Sequence, residues 1–360
     1  MVPGLTELNR RRVILGVLLT LAALGGLYFL IPKLAGLNQT WGQLRHGDPV
    51  LLGVAAILEL VSVGGYALLF ATVFGRGMPR IDWRASVKIP LAGIAAIRLL
   101  AAAGAGGIAV TVWALRRAGM EPGVIACRMV ASYVLQYSVY LAAIVVCGVG
   151  LRFGLFPGGG SVALTLIPAV LSAWGIVLIA SMAFVPQDFR RRLEQLSHRR
   201  GRVGRWATRF ASVPDTVGSG VRTAIGLLRA RRIGVVGALI YWGFDIAVLG
   251  LSFRAFGSTL PVAVLIMGYF LGTLGSLLPL PGGIGGVEGG MIGAFAAFGV
   301  PGGRAVVGVL AYRAISFWLP TLPGIAGYLS LRGTVKEWHA ADESQKQLEQ
   351  QSIVAEVSRG

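Results

Sequence analysis

The sequence predicts an all-α polytopic membrane protein, an inverted-topology repeat with two glycine-broken helical hairpins that are re-entrant or short. Three observations predict it. Of the 360 residues, 55% are hydrophobic and 13% charged, with a mean hydropathy of +0.73, well beyond the range of a water-soluble domain. Apolar runs of bilayer length recur along the chain. The two halves match at a fixed offset of 179 residues, and their charges predict opposite orientations.

A helix of about 20 apolar residues spans a bilayer because all its backbone N–H and C=O groups bond within the segment. Six runs meet this condition, at 13–31, 50–74, 124–149, 161–184, 233–254 and 305–329. The first follows Arg10, Arg11 and Arg12, but its apolar character continues past Ala22-Ala23 to Ile31, so a retained helix is expected rather than a cleaved signal. Two further stretches, 86–117 and 261–299, are cut by glycine. Ala103-Gly104-Ala105-Gly106-Gly107 interrupts one, and Pro279-Leu280-Pro281-Gly282-Gly283-Ile284-Gly285-Gly286 the other. Each therefore reads as two shorter helices meeting at a turn.

Lys and Arg mark the cytoplasmic loops. By that rule the basic N-terminus is inside, the loop at 32–49 outside, and Arg76, Arg80, Arg84 and Lys88 inside again. Arg116 and Arg117 fall inside if 86–117 enters and returns. The segment 187–232 holds twelve arginines against Asp188, Glu194 and Asp215, half of the chain's net charge of +18. A positive-inside loop accounts for it. A surface for anionic lipid is compatible, whereas nucleic acid is not expected, since aromatic interleaving stops at Trp206 and Phe210.

The domains follow: a first membrane half over 1–185 with repeat 1 at about 50–149, a basic cytoplasmic loop over 186–232, a second membrane half over 233–331, and a polar cytoplasmic tail over 332–360. At the 179-residue offset Gly104, Gly106 and Gly107 fall on Gly283, Gly285 and Gly286. Pro122-Gly123 falls on Pro301-Gly302, Tyr133 on Tyr312, Gly93 on Gly272 and Gly64 on Gly243. The charge pattern runs the second span inward and its counterpart at 233–254 outward, so the glycine turns of the two hairpins can meet near mid-membrane. Inverted repeats with discontinuous helices suit transporters, whose halves exchange the side a central site faces.

Ionisable residues within the apolar stretches are few: Glu59, Arg98, Arg128, Asp245, Glu288 and Arg313. Such groups pair or line a polar cavity. Glu288 follows the glycine turn, where it can cap a helix, pair with Arg313, contact a cationic head group or take a coupling proton. Arg313 lies two turns into the last span, suited to an ion pair or a lipid phosphate. Arg98 stands before the first glycine turn, where it can pair with Glu59 or Asp245 or bind phosphate; Arg128 reads as an interface anchor. The glycines also permit close packing, as in Gly286-xxx-Gly290 and Gly289-xxx-Gly293. Cys127 and Cys147 lie in one helical stretch, roughly 30 Å apart, too far for a disulfide. His46, His198 and His339 fall in loops or tail, so no metal or cofactor is expected, and no nucleophile–base pair suggests an enzyme.

The run from Leu278 through Gly290, then Gly299-Val300-Pro301 and Ala311 through Trp318, resembles the signature of the lysylphosphatidylglycerol synthase transmembrane family, also called the flippase-like domain family. Ala103 through Ala109 and Trp113 through Arg117 resemble its other glycine motif, with Ile108-Ala109 where the family commonly carries an acid. The resemblance covers about 10–332. It implies movement of a phospholipid between leaflets, with aminoacylated phosphatidylglycerol as the best-known cargo, and it carries Gly282, Gly283, Gly285, Glu288, Tyr312 and Arg313 over as site positions. The short tail leaves no room for a synthase domain. The substrate-binding residues expected are thus Arg98, Glu288, Tyr312 and Arg313, in a multi-pass bacterial-type plasma (inner) membrane protein with both termini cytoplasmic. Expected partners are an anionic or aminoacylated phospholipid and a separate lipid-modifying enzyme. A polyprenyl-phosphate or glycolipid cargo, or a non-transporting scaffold for that enzyme, are the alternatives.

Overall fold

The computed structural model describes residues 47–99, 105–184, 213–277 and 283–357. Every regular element among them is a helix: α1 Pro49–Phe74, α2 Trp83–Leu99, α3 Ala105–Arg117, α4 Pro122–Arg152, α5 Val162–Met182, α6 Val213–Arg229, α7 Val236–Ala255, α8 Val262–Thr273, α9 Gly286–Ala297 and α10 Gly302–Val357, with short 3-10 turns at Ile233–Val235 and Leu274–Leu277. Five of the helices, α1, α4, α5, α7 with its 3-10 entry, and α10, are long and apolar enough to cross a membrane. They coincide with five of the predicted spans; the run at 13–31 lies outside the described residues.

Each start has a local cause. Asp48 caps α1 by accepting the N–H of Val50 at 2.9 Å, and Pro49 fills the position where an N–H would go unused. Both interrupted stretches fold as short helix pairs, α2–α3 and α8–α9, whose second arms end alike. Gly119 and Gly299 take positive φ, and the next residue reaches back, Met120 N–H to Leu115 O at 3.0 Å and Val300 N–H to Phe295 O at 2.9 Å. Pro122 and Pro301 then lead into the following spans. Trp83 and Val262, which open the two first arms, also stand 179 apart.

The helices pack as a bundle without water-facing logic. On α5 only Thr165, Ala169 and Ser172 are buried, while Leu171 and Trp174 stand about two-thirds exposed, a pattern lipid tolerates and water does not. One apolar core gathers around Phe70, Phe74, Ile89 and Leu115 in the first half. Another forms around Phe253, Met267, Phe270 and Phe295 in the second. The seam between them is α1 against α7, where Gly65 and Gly237 bring the two backbones together: a Cβ on Gly237 would lie 2.4 Å from Gly65 O. Polar side chains bridge the helices as well, Tyr140 Oη donating to Phe270 O at 2.7 Å and Trp242 Nε1 to Gln136 O at 2.8 Å.

Three features go beyond the sequence reading. Within the basic segment, residues Val213–Arg229 form an amphipathic helix, α6, whose Val221, Ala224 and Leu227 are buried. It lies on α4 so closely that a Cβ on Gly220 would meet Val130, and Arg222 Nη1 donates to Ala183 O beyond the end of α5. The helix of the last span outlasts the apolar run. It continues as helix to Val357, because its Lys, Glu, Gln and Ala content favours helix and its first turns still pack, with Leu331 and Val335 buried and Lys88 Nζ bonded to Thr334 Oγ1 at 3.1 Å. Arg128, read from the sequence as an interface anchor, also closes a helix end. Its two Nη groups close the end of α1, donating to Phe74 O and Arg76 O at 2.9 Å each. Cys127 and Cys147 are free thiols.

Candidate functional site

Helix α10 is the backbone of a charged cluster. Residues four apart share a helix face, so Arg313, Phe317 and Thr321 form one stripe, next to that of Tyr312 and Ser316. Arg313 Nε donates to Glu288 Oε1 at 2.7 Å, with the side chains 14% and 2% exposed. Glu288 is the third residue of α9, and its other oxygen accepts the N–H of Gly285 at 2.7 Å, the returning half of a capping box. That geometry depends on the turn. Gly285 has φ +84° and Gly283 φ +68°, values an L side chain rarely adopts.

Arg98 comes to the same place from α2. Its Nη1 donates to Phe317 O and, at 3.0 Å, to Thr321 Oγ1. The guanidinium carbons of Arg98 and Arg313 each lie 5.3 Å from the centre of the Phe317 ring, a cation–π distance. Two arginines from different parts of the chain thus meet on one aromatic ring.

Tyr312 turns to the other side of the stripe. Its hydroxyl lies 3.0 and 3.1 Å from the two carboxylate oxygens of Asp245 on α7, and Tyr269 on α8 donates to Oδ2 of the same residue. Glu59 of α1 lies beside Asp245, with Arg98 and Arg313 near enough to act on it electrostatically. Glu59 is 3% exposed, and its Oε2 has no hydrogen-bond partner.

All four expected binding residues, Arg98, Glu288, Tyr312 and Arg313, therefore gather around α10. The ion pair between Glu288 and Arg313 forms, whereas Arg98 bonds backbone and hydroxyl oxygens rather than an acid. Glu59 and Asp245 complete the cluster and were not expected as site residues. Their signal in the sequence was only that of carboxylates inside apolar runs. Of the hairpin glycines, Gly104 and Gly282 lie outside the described residues, and with them the meeting of the two turns. Gly286 and Gly107 serve close approach: a Cβ on Gly275 would strike Gly286 O, and one on Gly107 would meet Ile97 at 2.6 Å. Gly106 is buried in the first turn of α3. Gly290 is pressed against Gly272 O, while Gly289 and Gly293 face open space, so only one of the two small-xxx-small faces packs against protein.

A narrow crevice of about 30 Å³ opens in the first half, lined by Tyr66, Phe70, Gly93, Ile97, Gly107 and Tyr133 among others. At the 179-residue offset these positions correspond to Asp245, Leu249, Gly272, Ser276, Gly286 and Tyr312. There Tyr312 bonds Asp245, and Met291 packs against Gly272.

The family described as the lysylphosphatidylglycerol synthase TM region matches residues 13–324. The chain belongs to this family. A UPF0104 membrane protein of Methanothermobacter thermautotrophicus is 24% identical over 325 residues, covering 84% of this chain and 91% of the relative. Two more UPF0104 membrane proteins of that organism are 38% and 37% identical over 113 and 107 residues, about a third of each. No solved structure matches the chain. Family membership and the five apolar helices together establish a multi-pass integral membrane protein. Within the family, the matched region includes every residue of the cluster.

Proposed function

We propose that this protein moves a phospholipid between the leaflets of a membrane and makes no covalent change to it. One observation carries the reading: Arg98 and Arg313 meet on the ring of the buried Phe317, and Glu288, just after the second glycine turn, pairs with Arg313. Burying three ionised groups there is costly unless a ligand or partner compensates them.

A phosphate suits the place. Arg98 has only Nη1 engaged among the described residues, which leaves Nε and Nη2 as donors in the fork geometry that fits a phosphodiester. Glu288 supplies an acceptor for an ammonium or hydroxyl head group, and the acyl chains remain in lipid alongside the exposed face of α9 at Gly289 and Gly293. In this reading the membrane is the plasma membrane, both termini are cytoplasmic, and a separate enzyme supplies any modified head group.

The test is a leaflet-accessibility assay in proteoliposomes, with labelled phosphatidylglycerol, aminoacylated phosphatidylglycerol and polyprenyl phosphate as probes. Wild-type protein should accelerate exchange of one of them, and Glu288→Gln and Arg313→Ala should abolish the gain. Equal rates for wild type and both variants reject the site, and no acceleration of any probe rejects translocation in favour of a scaffold.

A further inference from the structure

The cluster contains three carboxyl groups, Glu59, Asp245 and Glu288, and two guanidinium groups, Arg98 and Arg313. Fully ionised it carries one net negative charge in the membrane interior, and with one proton bound it is neutral. The hydrogen bonds say where that proton sits. Glu288 accepts from Arg313 and from the Gly285 N–H, so both its oxygens are used as a carboxylate uses them. Asp245 has the hydroxyls of Tyr269 and Tyr312 at its oxygens, again the surroundings of an anion. Glu59 differs. Its carboxyl group lies one turn from the Ser62–Tyr241 contact that joins α1 to α7, as does that of Asp245, and two carboxylates brought so close in a buried place favour a proton on one of them. Its Oε2 is buried with no partner, a position a carbonyl oxygen of a neutral acid tolerates far better than half of a carboxylate.

The geometry points to the Glu59–Asp245 pair as a proton-binding site, with Glu59 carrying the proton that balances the cluster. The groups facing it are Arg98 from α2, Tyr241 from α7, Tyr269 from α8, and Tyr312 and Arg313 from α10. None of these replaces the proton: Arg98 is held by Phe317 and Thr321, Arg313 is held by Glu288, and the tyrosines are neutral donors. A ligand that brings net positive charge into the cluster releases the proton, the Glu59 O–H bond breaking and the proton passing to water. A net anionic ligand keeps it bound. Ligand movement and proton movement are thereby linked, and this coupling rests on the translocation reading, whereas the proton site does not.

Infrared spectroscopy of the purified full-length protein in phosphatidylglycerol and phosphatidylethanolamine nanodiscs tests the site without any transport. A C=O stretch of a protonated carboxylic acid should be present at neutral pH, shift in heavy water and vanish in Glu59→Gln. It should change frequency in Asp245→Asn and persist in Glu288→Gln. Absence of the band, or its survival in Glu59→Gln, overturns the assignment, and should Glu59→Gln not fold, an unshifted band in Asp245→Asn does so. The coupling is read in proteoliposomes of the same lipids, where an imposed pH gradient should change the rate of lipid exchange by wild type. A wild type that moves lipid at the same rate with and without the gradient removes the coupling, while a wild type that moves no lipid removes the translocation reading and leaves the infrared result standing.

Discussion

The hydroxyl of Ser62 donates to the carbonyl oxygen of Tyr241 at 2.8 Å, and the two residues are 179 positions apart. That interval is the one at which the glycine motifs and Pro-Gly pairs repeat in the sequence. Equivalent positions of two copies touch one another only at the axis relating them, so this contact marks α1 against α7 as the crossing point of the proposed inverted repeat. Glu59 lies one turn before Ser62, and Asp245 one turn after Tyr241, which is why the two carboxyl groups meet there.

The seam at this crossing depends on small residues next to the contact, not on the pair that the offset aligns. A Cβ on Gly237 would meet Gly65 O and Leu69 N, whereas Gly64 and Gly243 have open space. Gly237→Leu is expected to destabilise the protein by about 1–3 kcal/mol, and Gly64→Ala and Gly243→Ala by about 0.5 kcal/mol or less. Thermal unfolding in detergent ranks the three, and equal losses would disprove the close seam.

The pair of Glu288 and Arg313 is buried on both sides, so losing one partner strands the other. Arg313→Leu alone should cost about 3–5 kcal/mol, and the double change with Glu288→Leu should recover most of it. Midpoints of thermal unfolding measure this. A double variant no more stable than the single ones would show that the pair is not energetically linked.

The crevice is lined by Tyr66 and Tyr133, and alternation requires that it can close. Thr111 lines it. Thr111→Phe should leave unfolding temperature nearly unchanged and slow lipid exchange by about tenfold or more, equal to about 1.4 kcal/mol on the barrier. An exchange rate matching wild type would separate the crevice from function.

Orientation follows from two open glycines. Gly159, between α4 and α5, and Gly226, on α6, both have free space at Cβ. In a cysteine-free background, Gly159→Cys should react with an impermeant maleimide added to intact cells. Gly226→Cys should react only after permeabilisation. The reverse pattern would invert the topology drawn from the positive charges.

Much of the fold was legible because membrane insertion reads local composition. The runs at 50–74 and 124–149 are apolar along their whole length, and no packing is needed to know that they are helices. The break at Gly283–Gly285 was legible for a similar reason, since a cluster of glycines disfavours helix. Glu288 and Arg313 could be matched as a pair because a buried acid and a buried base in apolar surroundings have few other partners. The capping bonds of Arg128 were not legible, because the carbonyl groups it bonds, at Phe74 and Arg76, are more than fifty positions away.

By itself, then, the sequence determined that the chain is helical, lies in a membrane, breaks at two glycine motifs and carries its charge in a few loops. Those properties depend on each segment's own composition and on its contact with lipid or water. Only the tertiary structure decided that Glu59 faces Asp245, that Arg98 and Arg313 share the ring of Phe317, and that α6 lies along α4. A nearly uniform apolar helix can be rotated about its axis at little cost in lipid, so which side chains point inward is settled by packing against neighbours. Here the close approach of Gly65 and Gly237 sets that rotation for α1 and α7.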